Sequence, residues 1–225
     1  WVVSGWAAAT HVRGSRERIT NLQRSPQHYF QRPDAPGLDV DSSATSLTGH
    51  GVRLWLNKQR GASFANFAAG YMAPGFDVND LGYFGFDNYI NVHGGAGYNW
   101  SKPTKHFRNK MLMGALASSW DFNGLRNYGI AFGQGRAEFT NRFSLETNAY
   151  VNPRSMSGRR TRGGPRMQTL RNVGGSFYLD TDGSRTRFYY IQLNGDLDEG
   201  ESWNWSISPG FTWKKAMPPT GARTI

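Results

Sequence analysis

Arg159, Arg160, Arg162 and Arg166 bring four guanidinium groups together in one glycine-rich stretch. Forked donors of this kind match the oxygens of phosphate and carboxylate, which makes the four a candidate anion or lipopolysaccharide site. The competing reading is a solvated turn carrying flexible arginines. Asp77, Asn79 and Asp80 could supply oxygen ligands to Ca²⁺, but their spacing falls short of an EF-hand loop. Asp and Asn beside Pro and Gly also form turns by bonding their own backbone. The histidines at 11, 28, 50, 93 and 106 have no i, i+4 spacing of the zinc-helix kind. There is no Gly-x-Ser-x-Gly elbow, and the chain has no Cys, so thiol chemistry, disulfides and thiolate metal sites are excluded. Glu138 and Glu146 could face each other as an acid and base, or line a hydrated interior with Arg136 and Arg142. Gly94, Gly95, Ala96 and Gly97 could cradle a phosphate, although glycines inside a strand more often permit bending or close approach. The chemistry-bearing residues therefore indicate no enzyme, no catalytic group, no cofactor and no metal.

The elements that must position these residues read as strands. In Trp203–Trp213, every second residue is Trp203, Trp205, Ile207, Pro209, Phe211 and Trp213, while Asn204, Ser206, Ser208, Gly210 and Thr212 lie between them. Side chains alternate across a strand, so this segment separates two different solvents. The same alternation recurs through 45–57, 63–73, 83–100, 106–121, 126–138, 143–151, 169–180 and 185–197, with a short strand at 1–10. Tyr128, Ile130 and Phe132 share one face of the 126–138 segment. That makes about ten strands of mostly roughly 10 to 16 residues, long for a soluble sheet and suited to a tilted bilayer crossing. A short helix capped by Ser15 is expected near 15–24, with Ile19 and Leu22 on one side.

Taken alternately, the turns fall into two sets. Those at Arg60 and Gly61, 101–104, Thr140 and Asn141, and Asp182 and Gly183 are short. Every long loop, near 11–43, 74–82 and 152–168, belongs to the other set, together with the Asn123-Gly124 turn and 198–201. Short turns on one side and long external loops on the other are the outer-membrane pattern. The aromatics Trp203, Trp205, Phe211 and Trp213 then read as membrane-interface residues at headgroup depth.

Composition agrees with one barrel. The 225 residues carry 26 Lys+Arg against 16 Asp+Glu, 14% aromatics and only 38% hydrophobic residues, little for a large conventional core. No apolar run approaches the roughly 20 residues of a membrane helix, which leaves strands as the way to cross. A pI of 10.1 and arginines mixed with aromatics also suit nucleic acid. Aromatics alternating along strands and gathered at their ends fit an interfacial girdle better, and nucleic acid is set aside. The chain starts at Trp1 without Met, and both ends read as cut, so a piece of a longer protein is expected.

Three stretches carry a resemblance: Tyr29-Phe30-Gln31-Arg32-Pro33-Asp34, Pro74-Gly75-Phe76-Asp77-Val78-Asn79-Asp80-Leu81-Gly82-Tyr83, and Arg162-Gly163-Gly164-Pro165. In this order, from about Tyr29 to Trp213, the chain resembles an uncharacterised bacterial outer-membrane family. Its β-barrel follows a module like the family-nine carbohydrate-binding modules. No such module is visible in these residues, so the resemblance covers part of the barrel region. It implies location and fold and a loose link to glycans; the family has no established catalytic residues to carry over.

The expectation is an all-β, antiparallel up-and-down transmembrane barrel across residues 1–225, in whole or part, in a bacterial outer membrane. It is expected to be a non-enzymatic surface, transport or glycan-associated component whose partners are outer-membrane lipid, lipopolysaccharide and glycans. The alternative is a soluble all-β module binding anionic polymers.

Overall fold

The structure is a computed structural model that describes residues 1–83 and 85–214. Ten long strands follow one another as neighbours: β1 (Val2–Arg13), β2 (Ser46–Lys58), β3 (Ser63–Met72), β4 (Tyr89–Trp100), β5 (Phe107–Trp120), β6 (Arg126–Phe139), β7 (Ser144–Asn152), β10 (Asn172–Asp180), β11 (Arg187–Asp198) and β12 (Trp203–Trp213). A separate hairpin of β8 (Ser155–Ser157) and β9 (Met167–Thr169) lies between β7 and β10, and one helix, α1 (Arg16–Arg24), between β1 and β2. All ten strands form one antiparallel sheet in the order β1-β2-β3-β4-β5-β6-β7-β10-β11-β12. Among the described residues β1 and β12 each have a single neighbour, so the sheet is an open up-and-down meander.

The register assigns the two faces. Asn57 opposes Asn66, Gly95 opposes Asn66, Asn91 opposes Ser119, Gln134 opposes Asn148, Ser176 opposes Asn194 and Asn194 opposes Ser206, all on one face. The other face carries Leu54, Val92, Leu112, Leu116, Leu193 and Ile207, each more than a third exposed. A sheet that holds its amides together and turns its leucines outward is the reverse of a soluble sheet packed on a core. On β6 the bulk is reversed. Tyr128, Ile130 and Phe132 oppose Ser119, Ala117 and Ala115 and share the inner face with Gln134 and Arg136. Gly129, Ala131, Gly133 and Gly135 form its outer side.

The loops sort by end as the turn pattern predicts. Residues 59–62, 101–106, 140–143 and 181–186 join strands at one end; 14–45, 73–88, 121–125, 153–171 and 199–202 join them at the other. Strand bounds differ from expectation in three places. β1 continues to Arg13 because it stays in register with Ser46. The 152–168 loop contains the β8–β9 hairpin. The strand expected from Tyr83 begins only at Tyr89; Phe84 and the chain end at 222–225 lie outside the described residues. The carboxylate of Asp87 is drawn inward to Gly75 N–H at 2.5 Å, and Asn88 turns the chain through a left-handed φ of 58° into β4.

The long loops fold back over the inner face and form most of the buried core. The Ser15 hydroxyl accepts from Arg18 N–H and caps α1, as its sequence predicts. Gln23 is 2% exposed and grips Asp41, donating to its carbonyl at 3.1 Å and accepting its N–H at 2.7 Å. Phe30, Ala35, Leu38 and Leu47 cluster there, with Leu22 and Val40 against them. The 73–88 loop seats Phe76 beside the Trp6 ring and directly over Gly49, which has no side chain to obstruct it. Gly49→Ala sets a Cβ against the Gly75–Phe76 backbone; overpacking of this kind costs about 1–3 kcal/mol. Faster proteolysis confined to 73–88, with the sheet intact by circular dichroism, is the expected result.

Candidate functional site

Where the inner face meets the folded-in loops there is a cavity of about 470 Å³. Its floor comes from strand ends, Arg53 on β2, Tyr89 and Asn91 on β4, Ser119 on β5 and Tyr128 on β6. Its walls come from the loops: His28, Tyr29 and Arg32 from one, Phe86 and Asp87 from the second, and Gly158, Arg159 and Arg166 from the third.

Two buried networks hold those walls in place. The first is centred on His28, whose Nδ1 lies 2.7 Å from Asp87 Oδ2 and whose Nε2 lies 3.1 Å from Asp77 Oδ2. With an acceptor-only carboxylate at each nitrogen, the ring is satisfied as an imidazolium donating twice. Burial alone would lower its pKa; hydrogen bonds and charge from Asp87, then Asp77, outweigh that and raise it above the ordinary 6.5. Neither ring nitrogen is left with a lone pair for a metal. Asp77 Oδ1 also accepts from Asn79 N–H at 2.8 Å, the self-bonded turn that competed with a Ca²⁺ reading.

The second network is centred on Arg166. Its Nη2 lies 2.7 Å from Asp121 Oδ2, and its backbone N–H donates to Asp34 Oδ2 at 2.5 Å. Both side chains of the Arg166–Asp121 pair are less than a tenth exposed. The arginine quartet is therefore divided. Arg166 is committed to carboxylates. Arg159 donates to Gly85 carbonyl and lies 4.6 Å over the Phe86 ring and 5.6 Å over that of Tyr29. Arg160 and Arg162 are exposed. The four do not converge on a single point; Arg159 and Arg166 reach the cavity and the other two are not among its lining residues.

Arg32 is the cation the sequence reading did not place at a site. Its guanidinium makes no hydrogen bond or ion pair among the described residues, and its Nε is buried without a partner. Burial, then the like charge of Arg166, lowers its pKa from the ordinary arginine value. It lies against Gly158, where any Cβ would collide with its Nη1. The signal available was the stretch containing it. Of the three stretches quoted above, the first supplies Tyr29 and Arg32 to the cavity, and the other two lie behind its walls: Asp77 bonds His28, and Gly163 sits against Gln31 and Tyr29.

The other candidates are dispersed. Glu146 pairs with Arg136 at 3.1 Å, while Glu138 pairs with Arg108 at 2.9 Å. Arg142 bonds the Ser184 hydroxyl instead. These carboxylates are thus matched to different guanidiniums. Gly95 is a close-approach glycine, since a Cβ there would lie 2.7 Å from Ala115 Cβ. Trp203, Trp205, Phe211 and Trp213 all project from the outer face of β12, each more than half exposed. Tyr98 and Trp100, with rings 4.7 Å apart, and Phe107 and Phe139, 5.1 Å apart, add aromatics at the short-turn end of that face.

No curated protein and no solved structure matches the chain. A family model does, over residues 19–214, which takes in all three loop stretches and every long strand after β1. The chain belongs to the family described as domain of unknown function DUF5916.

Proposed function

We propose that this chain is barrel wall from a bacterial outer-membrane protein, with its leucine-bearing face in lipid and its amide-bearing face around a hydrated interior. The observation that carries the reading is the sorting of side chains across ten strands together with the sorting of loops by end. A soluble protein exposing this apolar area would aggregate, whereas lipid is the solvent it suits. The aromatic pairs and the tryptophans of β12 sit where an interfacial girdle belongs. The role is non-enzymatic, as a surface, transport or glycan-associated component, with the loop end turned outward toward lipopolysaccharide and glycans.

The test is extraction and heat-modifiability of the protein. Recovery only in detergent, with a gel mobility shift on boiling, is expected. Free solubility with no shift would replace this reading with a soluble all-β module that binds anionic polymers. A mutation adds a quantitative arm. Leu116, 65% exposed near the middle of β5, should tolerate no charge if lipid meets it. Leu116→Arg is expected to cost about 2–4 kcal/mol in a bilayer or micelle refolding assay. The same change on a water-facing strand would cost a small fraction of that.

A further inference from the structure

The cavity has an excess of positive charge that the fold does not use. Asp87 is taken by His28 and Asp121 by Arg166, which leaves Arg32, Arg53 and Arg159 at its walls without a carboxylate of their own. Arg53 has only a 3.4 Å contact to His93 and the Trp55 ring beside it. Arg159 is spread over Phe86 and Tyr29. Arg32 makes no side-chain hydrogen bond or ion pair among the described residues; Arg166 repels it, and Asp34, Asp121 and Asp87 attract it only at longer range. Its Nε is a buried donor with nothing to bond; such a donor is costly, and it persists where something else depends on it. The floor adds the rings of Tyr89 and Tyr128, which suit the body of an organic molecule rather than a bare ion.

We propose that this cavity binds a small organic oxyanion, a carboxylate or phosphate ester, with the Arg32 guanidinium as its anchor and Tyr89 and Tyr128 against its apolar body. Gly158 completes the site: the absence of a Cβ there lets Arg32 lie across the loop and point its fork inward. Arg159 closes one side. A cavity of about 470 Å³ limits the ligand to one or two rings with their charged group. Larger anionic polymers would not fit within it.

The inference goes beyond the barrel reading and the two fail separately, because binding can be measured whether the protein needs detergent or not. The probes are phenyl phosphate, benzoate, inorganic phosphate and phenol, titrated calorimetrically into the full chain. Phenyl phosphate or benzoate should bind, the preferred one identifying the class of charged group. Inorganic phosphate should bind more weakly, and phenol not at all. Arg32→Gln is expected to weaken binding at least tenfold, and Gly158→Ala to do the same by displacing Arg32. Arg162→Gln should leave it unchanged. Unchanged circular dichroism in the Arg32→Gln variant excludes unfolding as the cause. The proposal is overturned if neither organic anion binds more tightly than about 1 mM. It is equally overturned if Arg32→Gln binds as the parent does, or if Arg162→Gln loses as much as Arg32→Gln.

Discussion

Asp121→Ala is expected to release the arginine-rich loop from the sheet and to give the largest stability loss of any single change at the loop end. Asp121 Oδ2 is 2.7 Å from Arg166 Nη2. Its Oδ1 accepts from the N–H groups of Asn123 and Leu125, both at 3.0 Å, and so also shapes the β5–β6 turn. Removing the carboxylate leaves a buried guanidinium whose one other carboxylate among the described residues, Asp34, is 4.0 Å from its Nε. Breaking one side of a buried pair costs about 3–5 kcal/mol, since the remaining charge stays desolvated. The loss should appear as local opening of 153–171 while the sheet persists. Trypsin cleavage after the arginines of that loop should accelerate about a hundredfold or more, each 1.4 kcal/mol being worth about tenfold. Asp121→Asn retains an acceptor for the turn and should lose less. Combining Asp121→Ala with Arg166→Met removes both charges and should recover most of the difference. A parent-like cleavage rate in Asp121→Ala would show that the pair does not anchor the loop.

That the sheet was legible and the site was not follows from where each kind of information lies in the chain. The alternation of Trp203 through Trp213 is local, and β12 has the bounds it predicts. Ser15 and α1 were legible for the same reason: a cap and the N–H that donates to it are three residues apart. Loop sorting needs only the order of turns. The His28 network is formed by partners 49 and 59 residues away, and the Arg166 network by partners 45 and 132 residues away. No spacing rule reaches across such intervals. Proximity in sequence misled for the same reason, suggesting that four neighbouring arginines share a ligand when their backbone turns send them to different surroundings. Arg162 itself sits in the left-handed region at φ 52°. The 83–88 segment shows the same limit from the other side. Its pattern of Tyr83, Gly85 and Asp87 continues the β4 alternation, but Asp87 gains more from Gly75 and His28 than from a place at the end of a strand.

Local and distant information meet at Tyr128, Ile130 and Phe132. Alternation correctly put them on one face of β6, but the sequence gives no sign of which side that face takes. Cross-strand register decides it, through Ser119, Ala117 and Ala115, and puts the three rings and branches inside. The consequence is functional. Tyr128 becomes part of the cavity floor, and the outer side of β6 is left with small residues.

Raising the pH should loosen the junction between the 26–32 and 73–88 loops. His28 sits between Asp87 and Asp77, and their hydrogen bonds and charges raise its pKa above 6.5 in the folded protein despite burial. A group whose folded pKa exceeds its unfolded value gives stability that is fully present below the unfolded value and is lost as pH rises through the folded one. The junction is therefore tightest below pH 6.5 and weakens on the alkaline side. Asp87 feels the same proton from the other side: burial holds its carboxyl above the ordinary 3.8, although the hydrogen bond and charge of His28 pull it down. Once the ring is neutral, one of its nitrogens presents a lone pair to a buried carboxylate, and repulsion replaces attraction. The reporters are Gly75 N–H, bound to Asp87, and Asp87 N–H, bound to Gln27 carbonyl at 3.2 Å. Their hydrogen-exchange protection, corrected for the intrinsic rate, should fall as the pH rises above 6.5 while that of the β10–β11 pair stays level. His28→Gln keeps a donor but carries no charge, so its protection should be lower at the acid end and flat across the range. Level protection of Gly75 and Asp87 in the parent protein would mean that His28 holds the loops without a proton to lose.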